Sequence, residues 1–237
     1  MTRVGRFRYP FIMARLPRAA EGGLIYHALN RANARLKIFE SDADYAAFTG
    51  VLADVVARTE MRLLGYCVMP NHFHLLLWPR ADGDLSKFMR LLTLTHTQRR
   101  HAHRQSAGTG HLYQGRFKSF PIQGDEHFLT VCRYVERNAK RAGLVERAER
   151  WPWSSLALAS AKPPQTIVPE LTPWPIPRPK DWVARVNAAF SPVEEEAVVR
   201  SMSRSQPFGD LDWQTTTSAR LGLESAFRPR GRPRKST

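Results

Sequence analysis

An α+β fold is predicted for the 237-residue chain by three observations. Two β-like runs, 62–69 and 72–78, meet at Pro70-Asn71, a junction that turns a strand back on itself. Segments with helical apolar spacing separate the other β-like runs. The resulting order, β-α-β-β-α-β-α, is the split βαβ or ferredoxin-like order, an antiparallel sheet with helices on one face.

Residues 24–31 (LIYHALNR) alternate and carry β-formers, so they predict the first strand. Ser41 and Asp44 have capping-box spacing, and DYAAFTGVLADVVART runs on with helical spacing to about residue 59. RLLGYCVM (62–69) and HFHLLLW (72–78) form the hairpin. Asp84 is placed to cap LSKFMRLLTLTHTQRRHAHR. After a polar loop with Gly108 and Gly110, YQGRFKSFPI (113–122) predicts a fourth strand. Asp125 caps a helix to about Arg141, and Gly143 supplies its stop.

Between 163 and 179 seven of seventeen residues are Pro, which excludes helix and central strand and predicts an extended connector along the domain surface. Residues 192–203 and 210–222 are short helical candidates with weak caps. The expected division is a basic segment 1–23, a principal domain 24–156, a Pro-rich linker 157–191 and a C-terminal extension 192–237.

Charge narrows the class of partner. The chain holds 36 Lys and Arg against 21 Asp and Glu, a net charge of +15, which points to a polyanion, nucleic acid before lipid. Residues 85–124 contain no acid, and neither do 1–20 or 225–237. Two Cys exclude a disulfide framework and a four-cysteine zinc site, and fit a reducing cytosol. No apolar run approaches the roughly 20 residues of a membrane helix. FIM near the start is too short for a signal-peptide core, so a soluble cytoplasmic protein with no membrane partner is expected.

PNHFH (70–74) carries the first chemical signal. On a strand, His72 and His74 project side by side while Phe73 faces the core, and two imidazoles so placed can share a divalent metal. A His-x-His pair alone is more often structural than metal-binding. RYVERN (133–138) changes the balance, because Tyr134 and Asn138 are one helical turn apart on one face. A metal held by His72, His74 and the Asn138 oxygen, beside a tyrosine able to attack phosphorus, makes a site for phosphodiester chemistry.

The run YHALNRAN…IFESDADYAAF…LLGYCVMPNHFHLLLWP…GDLSKFM…LTHTQ…GHLYQGRFKSFPI…RYVERNAKRAGLV…WPWSSL, about residues 24–156, resembles the REP-associated tyrosine transposases. These are relatives of the single-tyrosine insertion-sequence transposases with a His-hydrophobic-His motif. The resemblance implies a ferredoxin-like fold and Mg²⁺ or Mn²⁺ bound by His72, His74 and Asn138. It also implies attack by Tyr134 on single-stranded DNA, giving a 5′-phosphotyrosine link and a free 3′-hydroxyl. Insertion-sequence relatives usually have Gln at the place of Asn138. Tyr113 is the competing nucleophile, although its place in the family often carries another aromatic, which implies packing or stacking. Family targets are short palindromes that fold into hairpins. Insertion-sequence relatives act as dimers, so both monomer and homodimer stay open. MARLPRA at Met13 resembles the family's usual start, so residues 1–12 are expected to be an extension or a mis-assigned start with no fold role.

Single-stranded and hairpin DNA is thus the expected partner. Arg116 and Lys118 alternate with Phe117 and Phe120 on the predicted strand, so cations and rings are expected on opposite sides. Arg99, Arg100 and Arg104 are placed to grip phosphates, but fit a solvated helix end equally well. Tyr113 is a candidate stacking platform. RPRGRPRK (228–235) is like an AT-hook, in which Arg230, Arg232 and Arg234 would contact A/T-rich duplex. TSARLGLE has the look of a helix-turn-helix fragment. The competing reading is a DNA-binding regulator of the same fold without strand transfer. A metal-dependent hydrolase ranks last, because residues 69–81 contain no carboxylate to serve as base.

Overall fold

The computed structural model describes residues 20–106, 108, 110–160 and 167–228. Strands β1 (Ile25–Arg31), β2 (Arg62–Met69), β3 (His72–Trp78) and β4 (Lys118–Ile122) form one antiparallel sheet in the order β2-β3-β1-β4. This is the ferredoxin-like arrangement. Helices α1 (Asp42–Thr59) and α2 (Asp84–Arg104) cover one face, packing Phe48, Leu52, Phe88 and Leu92 on Tyr26, Phe73 and Leu75.

The expectation of helices on one face describes α1 and α2 and extends no further. α3 (Glu126–Glu136) packs on the opposite face, where Phe128, Cys132 and Val135 meet Leu64, Leu76 and Phe120. The reason is legible in β2 and β3: Leu63-Leu64 and Leu75-Leu76 place apolar side chains on both sides of the sheet, and each side needs a cover.

Local chemistry sets the element ends. Ser41 and Asp44 form the full capping box of α1. Asp84 starts α2 from its first turn rather than as the cap, accepting from the Ala81 N–H through Oδ2, while Gly83 at φ 84° takes the cap position. β4 is shorter than expected, because the chain turns at Gly115 (φ 65°) and enters the sheet only at Lys118. Asp125 caps α3 by accepting from the His127 N–H at 2.9 Å. One irregular residue, Arg137, separates α3 from α4 (Asn138–Arg141). The hydrogen bonds Arg137 N–H to Arg133 O and Arg141 N–H to Arg137 O carry the helical path across it.

The C-terminal part is packed on the α3 face. After α5 (Ser155–Ser160), the Pro-rich stretch runs along β2: the Thr172 N–H donates to Leu63 O and the Trp174 Nε1–H to Leu64 O, each at 2.8 Å. α6 (Trp182–Asn187) inserts Trp182, whose Nε1–H donates at 2.7 Å to the buried Glu136 carboxylate, which also accepts from Ser155 Oγ at 2.7 Å. α7 (Pro192–Arg204) opens with a full capping box from Ser191 and Glu194, stronger than the weak cap expected. Phe208 then pairs with the β4 edge. TSARLGLE completes α8 (Leu211–Leu221) and turns at Gly222 (φ 64°), and the described residues after it form a single 3₁₀ turn, Glu224–Phe227. No helix among the described residues is long and apolar enough to cross a membrane.

A pH effect follows from the α1–α2 layer. His96 is buried there, its Nδ1 sharing a 2.6 Å hydrogen bond with the Tyr113 hydroxyl, and burial lowers its pKa from 6.5 to about 3. The unfolded chain takes up this proton near pH 6.5, whereas the native state refuses it until about 3. Stability is therefore full above about 6.5 and falls as the pH drops toward 3, by up to about 1.4 kcal/mol per pH unit for one proton. His96→Phe is expected to flatten the urea-measured slope of stability against pH by one proton; an unchanged slope would contradict the assignment.

Candidate active site

The register of the sheet assembles the site. Arg31 lies opposite His72 and Leu29 opposite His74, while Lys118 lies opposite Leu29 on the other side of β1. Strand alternation thus puts His27, Leu29 and Arg31 on the α3 face with His72, His74 and Lys118, and sends Phe73 into the α1–α2 core. Phe120 shares the face of Lys118 instead of opposing it; only Phe117 goes to the other core. Sequence spacing had put both rings opposite the cations, but positions two apart on a strand share a face.

α3 and α4 bring the second half of the site. Tyr134 is 1 % exposed, its ring edge-on to His74 at 6.2 Å, and Asn138, one turn later, places its amide nitrogen 3.0 Å from His74 Nε2. A pocket of about 210 Å³ opens between them, lined by His72, His74, Tyr134, Arg31, Arg116, Lys118 and Arg141. Val199, Met202 and Ser203 of α7 form its far wall. No described residue lining it is acidic. Arg141 lies over the Tyr134 ring at 4.9 Å and is tied to Glu195 of α7 at 2.8 Å.

Burial governs the electrostatics. It lowers the pKa of His72 to about 4, with Arg31 and Arg141 adding to the effect, and holds His74 well below its usual 6.5. Both imidazoles are therefore neutral at pH 7. Burial also raises the Tyr134 phenol, while Arg141 and Arg31 pull it back down and Glu195 pushes it up.

These residues fit a divalent ion. Asn71 Nδ2–H donates to Arg35 O at 3.1 Å, so its Oδ1 faces His72 Nδ1 at 2.6 Å and accepts from it. His72 consequently carries its proton on Nδ1 and presents the Nε2 lone pair. The 3.0 Å between His74 Nε2 and the Asn138 amide matches two donors each about 2.1 Å from one octahedral ion, once the amide turns its oxygen inward. Among the described residues no three His, Cys, Asp or Glu side chains form a metal-holding group, so the third donor would be this amide.

Of the residues nominated from sequence, His72, His74, Tyr134 and Asn138 converge here, and Arg116 and Lys118 line the same pocket. Arg99, Arg100 and Arg104 do not. They sit on α2 across the sheet, paired with Asp54, with Glu40, and with Asp44 and Glu40 respectively. Tyr113, the candidate stacking platform, is 7 % exposed, bonded to His96 and packed edge-on to Phe73 on the other side of the sheet. Arg230, Arg232, Arg234 and the first twelve residues lie outside the described residues. Sequence reasoning missed Arg31 and Arg141. Arg31 falls two and four residues after Leu29 and His27 on one strand face, and Arg141 one turn after Asn138.

Comparisons with known proteins bear on the family and the fold. The family model described as "Transposase IS200 like" matches residues 21–138, the span from β1 through Asn138. Among solved structures, a REP-associated tyrosine transposase bound to a REP hairpin shares the fold, with a TM-score of 0.51 and 19% identity over 68% of this chain and 95% of that one. A Deinococcus radiodurans R1 protein described as a transposase gives a TM-score of 0.38 and 20% identity over 52% of this chain and 96% of its own. A search of curated protein sequences found no match. With the matched span carrying the histidine pair and the tyrosine of one pocket, and the Asn138 amide beside His74, this chain belongs to the IS200-like transposase family.

Proposed function

We propose that the chain is a metal-dependent single-stranded DNA strand transferase of the REP-associated kind, acting at hairpin-forming palindromes through a 5′-phosphotyrosine intermediate. The convergence of two neutral imidazoles, a buried tyrosine and four cations in one pocket with no carboxylate among its described lining residues carries this reading. Such a pocket attracts a phosphodiester and has no described acidic side chain to activate water, which favours Tyr134 as the nucleophile over hydrolysis.

His72, His74 and Asn138 would hold Mg²⁺ or Mn²⁺, which when bound polarises a scissile phosphate oxygen. As the Tyr134 oxygen–phosphorus bond forms, the phenol proton passes to solvent; burial raises this phenol's pKa, and Arg141 and Arg31 partly counter that rise. The P–O3′ bond breaks, and the leaving 3′ oxygen takes a proton from solvent. The reverse step, attack by a 3′-hydroxyl on the phosphotyrosine, rejoins strands. Arg116 and Lys118 extend the positive surface along the strand. The same reading includes contact of the 228–235 tail with A/T-rich duplex.

Labelled single-stranded hairpin DNA incubated with the protein and Mg²⁺ or Mn²⁺ is expected to give a covalent adduct that EDTA prevents. Cleavage without adduct would favour a hydrolase, and binding alone a regulator. Charge placement adds a second expectation. Arg31→Ala should weaken single-strand binding by about 10- to 100-fold, the loss of a charge-assisted phosphate contact. Arg99→Ala and Arg104→Ala, on the opposite face, should leave it within about threefold. A filter-binding series that reverses this ranking would move the DNA path to α2.

A further inference from the structure

His27 lies on β1 beneath the pocket, fully buried, with Nε2 2.8 Å from His74 Nδ1. Its other nitrogen, Nδ1, is buried without a hydrogen-bond partner. Its ring is wedged between His74 and Phe120, with centroids 5.0 and 4.9 Å away. One hydrogen fills the 2.8 Å gap between two neutral imidazoles, and its owner decides what His74 can do. If it sits on His74 Nδ1, the His74 Nε2 lone pair faces Asn138 and the pocket. If it sits on His27 Nε2, His74 keeps its own hydrogen on Nε2 and cannot ligate there.

His72 shows the pattern its neighbour needs: its Nδ1–H is held by Asn71 Oδ1. His74 has one buried group in the same role, and it is His27. We propose that His27 is the positioning residue for His74, accepting its Nδ1–H so that Nε2 presents a lone pair to the divalent ion. The inference rests on the metal reading above. It implies that His27 carries its own hydrogen on the unpartnered Nδ1, a cost the site bears in exchange for the orientation of His74.

The test uses the full chain and Mn²⁺ alone, followed by calorimetry and by the EPR signal of free Mn²⁺. His27→Leu removes the acceptor and is expected to weaken Mn²⁺ binding by about 10- to 100-fold. His27→Gln places an amide oxygen near the position of Nε2 and is expected to restore most of the affinity. In long-range ¹H–¹⁵N spectra with Mg²⁺, His74 should appear as the Nδ1–H tautomer in the wild type and in His27→Gln. Wild-type affinity in His27→Leu overturns the proposal, as does a His27→Gln variant as weak as His27→Leu. Should His27→Leu fail to fold, the tautomer in His27→Gln decides: an Nε2–H signal for His74 overturns it. A wild type that binds no Mn²⁺, unchanged by His72→Ala, would overturn the metal reading itself, a result distinct from any His27 effect.

Discussion

Replacing Tyr134 by Phe is expected to abolish the DNA adduct and to lower strand cleavage by about 10³-fold or more. The substitution deletes one oxygen and leaves the rest of the pocket in place. The ring still packs edge-on to His74 and Phe190, and Arg141 still covers it. His72 and His74 lie on the sheet and are not supported by the phenol oxygen, so Mn²⁺ affinity and hairpin binding should stay near wild type. Loss of chemistry with retained binding is the signature of a nucleophile, and denaturing gels of labelled DNA read it directly. Tyr113→Phe is the matched control, because that hydroxyl is bonded to His96 in the core across the sheet. An adduct that survives Tyr134→Phe and disappears with Tyr113→Phe would sink the assignment.

The contrast between these tyrosines shows what a sequence can and cannot carry. Strand alternation and helical spacing are local rules, so His72 with His74, and Tyr134 with Asn138, are legible as pairs in the sequence. Their meeting depends on α3 packing on the second face of the sheet, whereas the element order was read as helices on one face. Partners remote in sequence were not legible. Arg104 looks like a free cation until α1 supplies Asp44, 60 residues earlier. Tyr113 looks like an exposed ring until His96 and Phe73 enclose it. Acid-free stretches therefore marked basic surface in general and did not separate the cations of the pocket from those neutralised across the sheet. Arg31 and His27 were within reach, since alternation from Leu29 places all three on one face; what hid them was that β1 carries no motif of its own.

A chain ended at residue 160 is expected to lose its cooperative fold, although it keeps the four strands and the matched family span. The α3 face is covered by side chains from beyond that point: Trp182, Val186, Val198 and Phe208 are all buried against it. Each contributes about 1.5–3 kcal/mol by leaving water. Four of them are comparable with the whole stability of a typical domain, roughly 5–15 kcal/mol. Glu136 adds to the loss, because without the Trp182 N–H its buried carboxyl keeps, among the described residues, Ser155 as its side-chain donor. Trp182→Phe removes that N–H in the intact chain together with part of a buried ring, and should cost at least about 1 kcal/mol. α7 also supplies the far wall of the pocket and the Glu195 partner of Arg141, so a truncated chain that folded would still hold Tyr134 differently. Thermal melts and adduct yield of the two proteins test this together. If the truncated chain melts cooperatively and still forms the adduct, then the packing of the C-terminal helices on α3 is dispensable for catalysis, and their role lies in contacts with DNA.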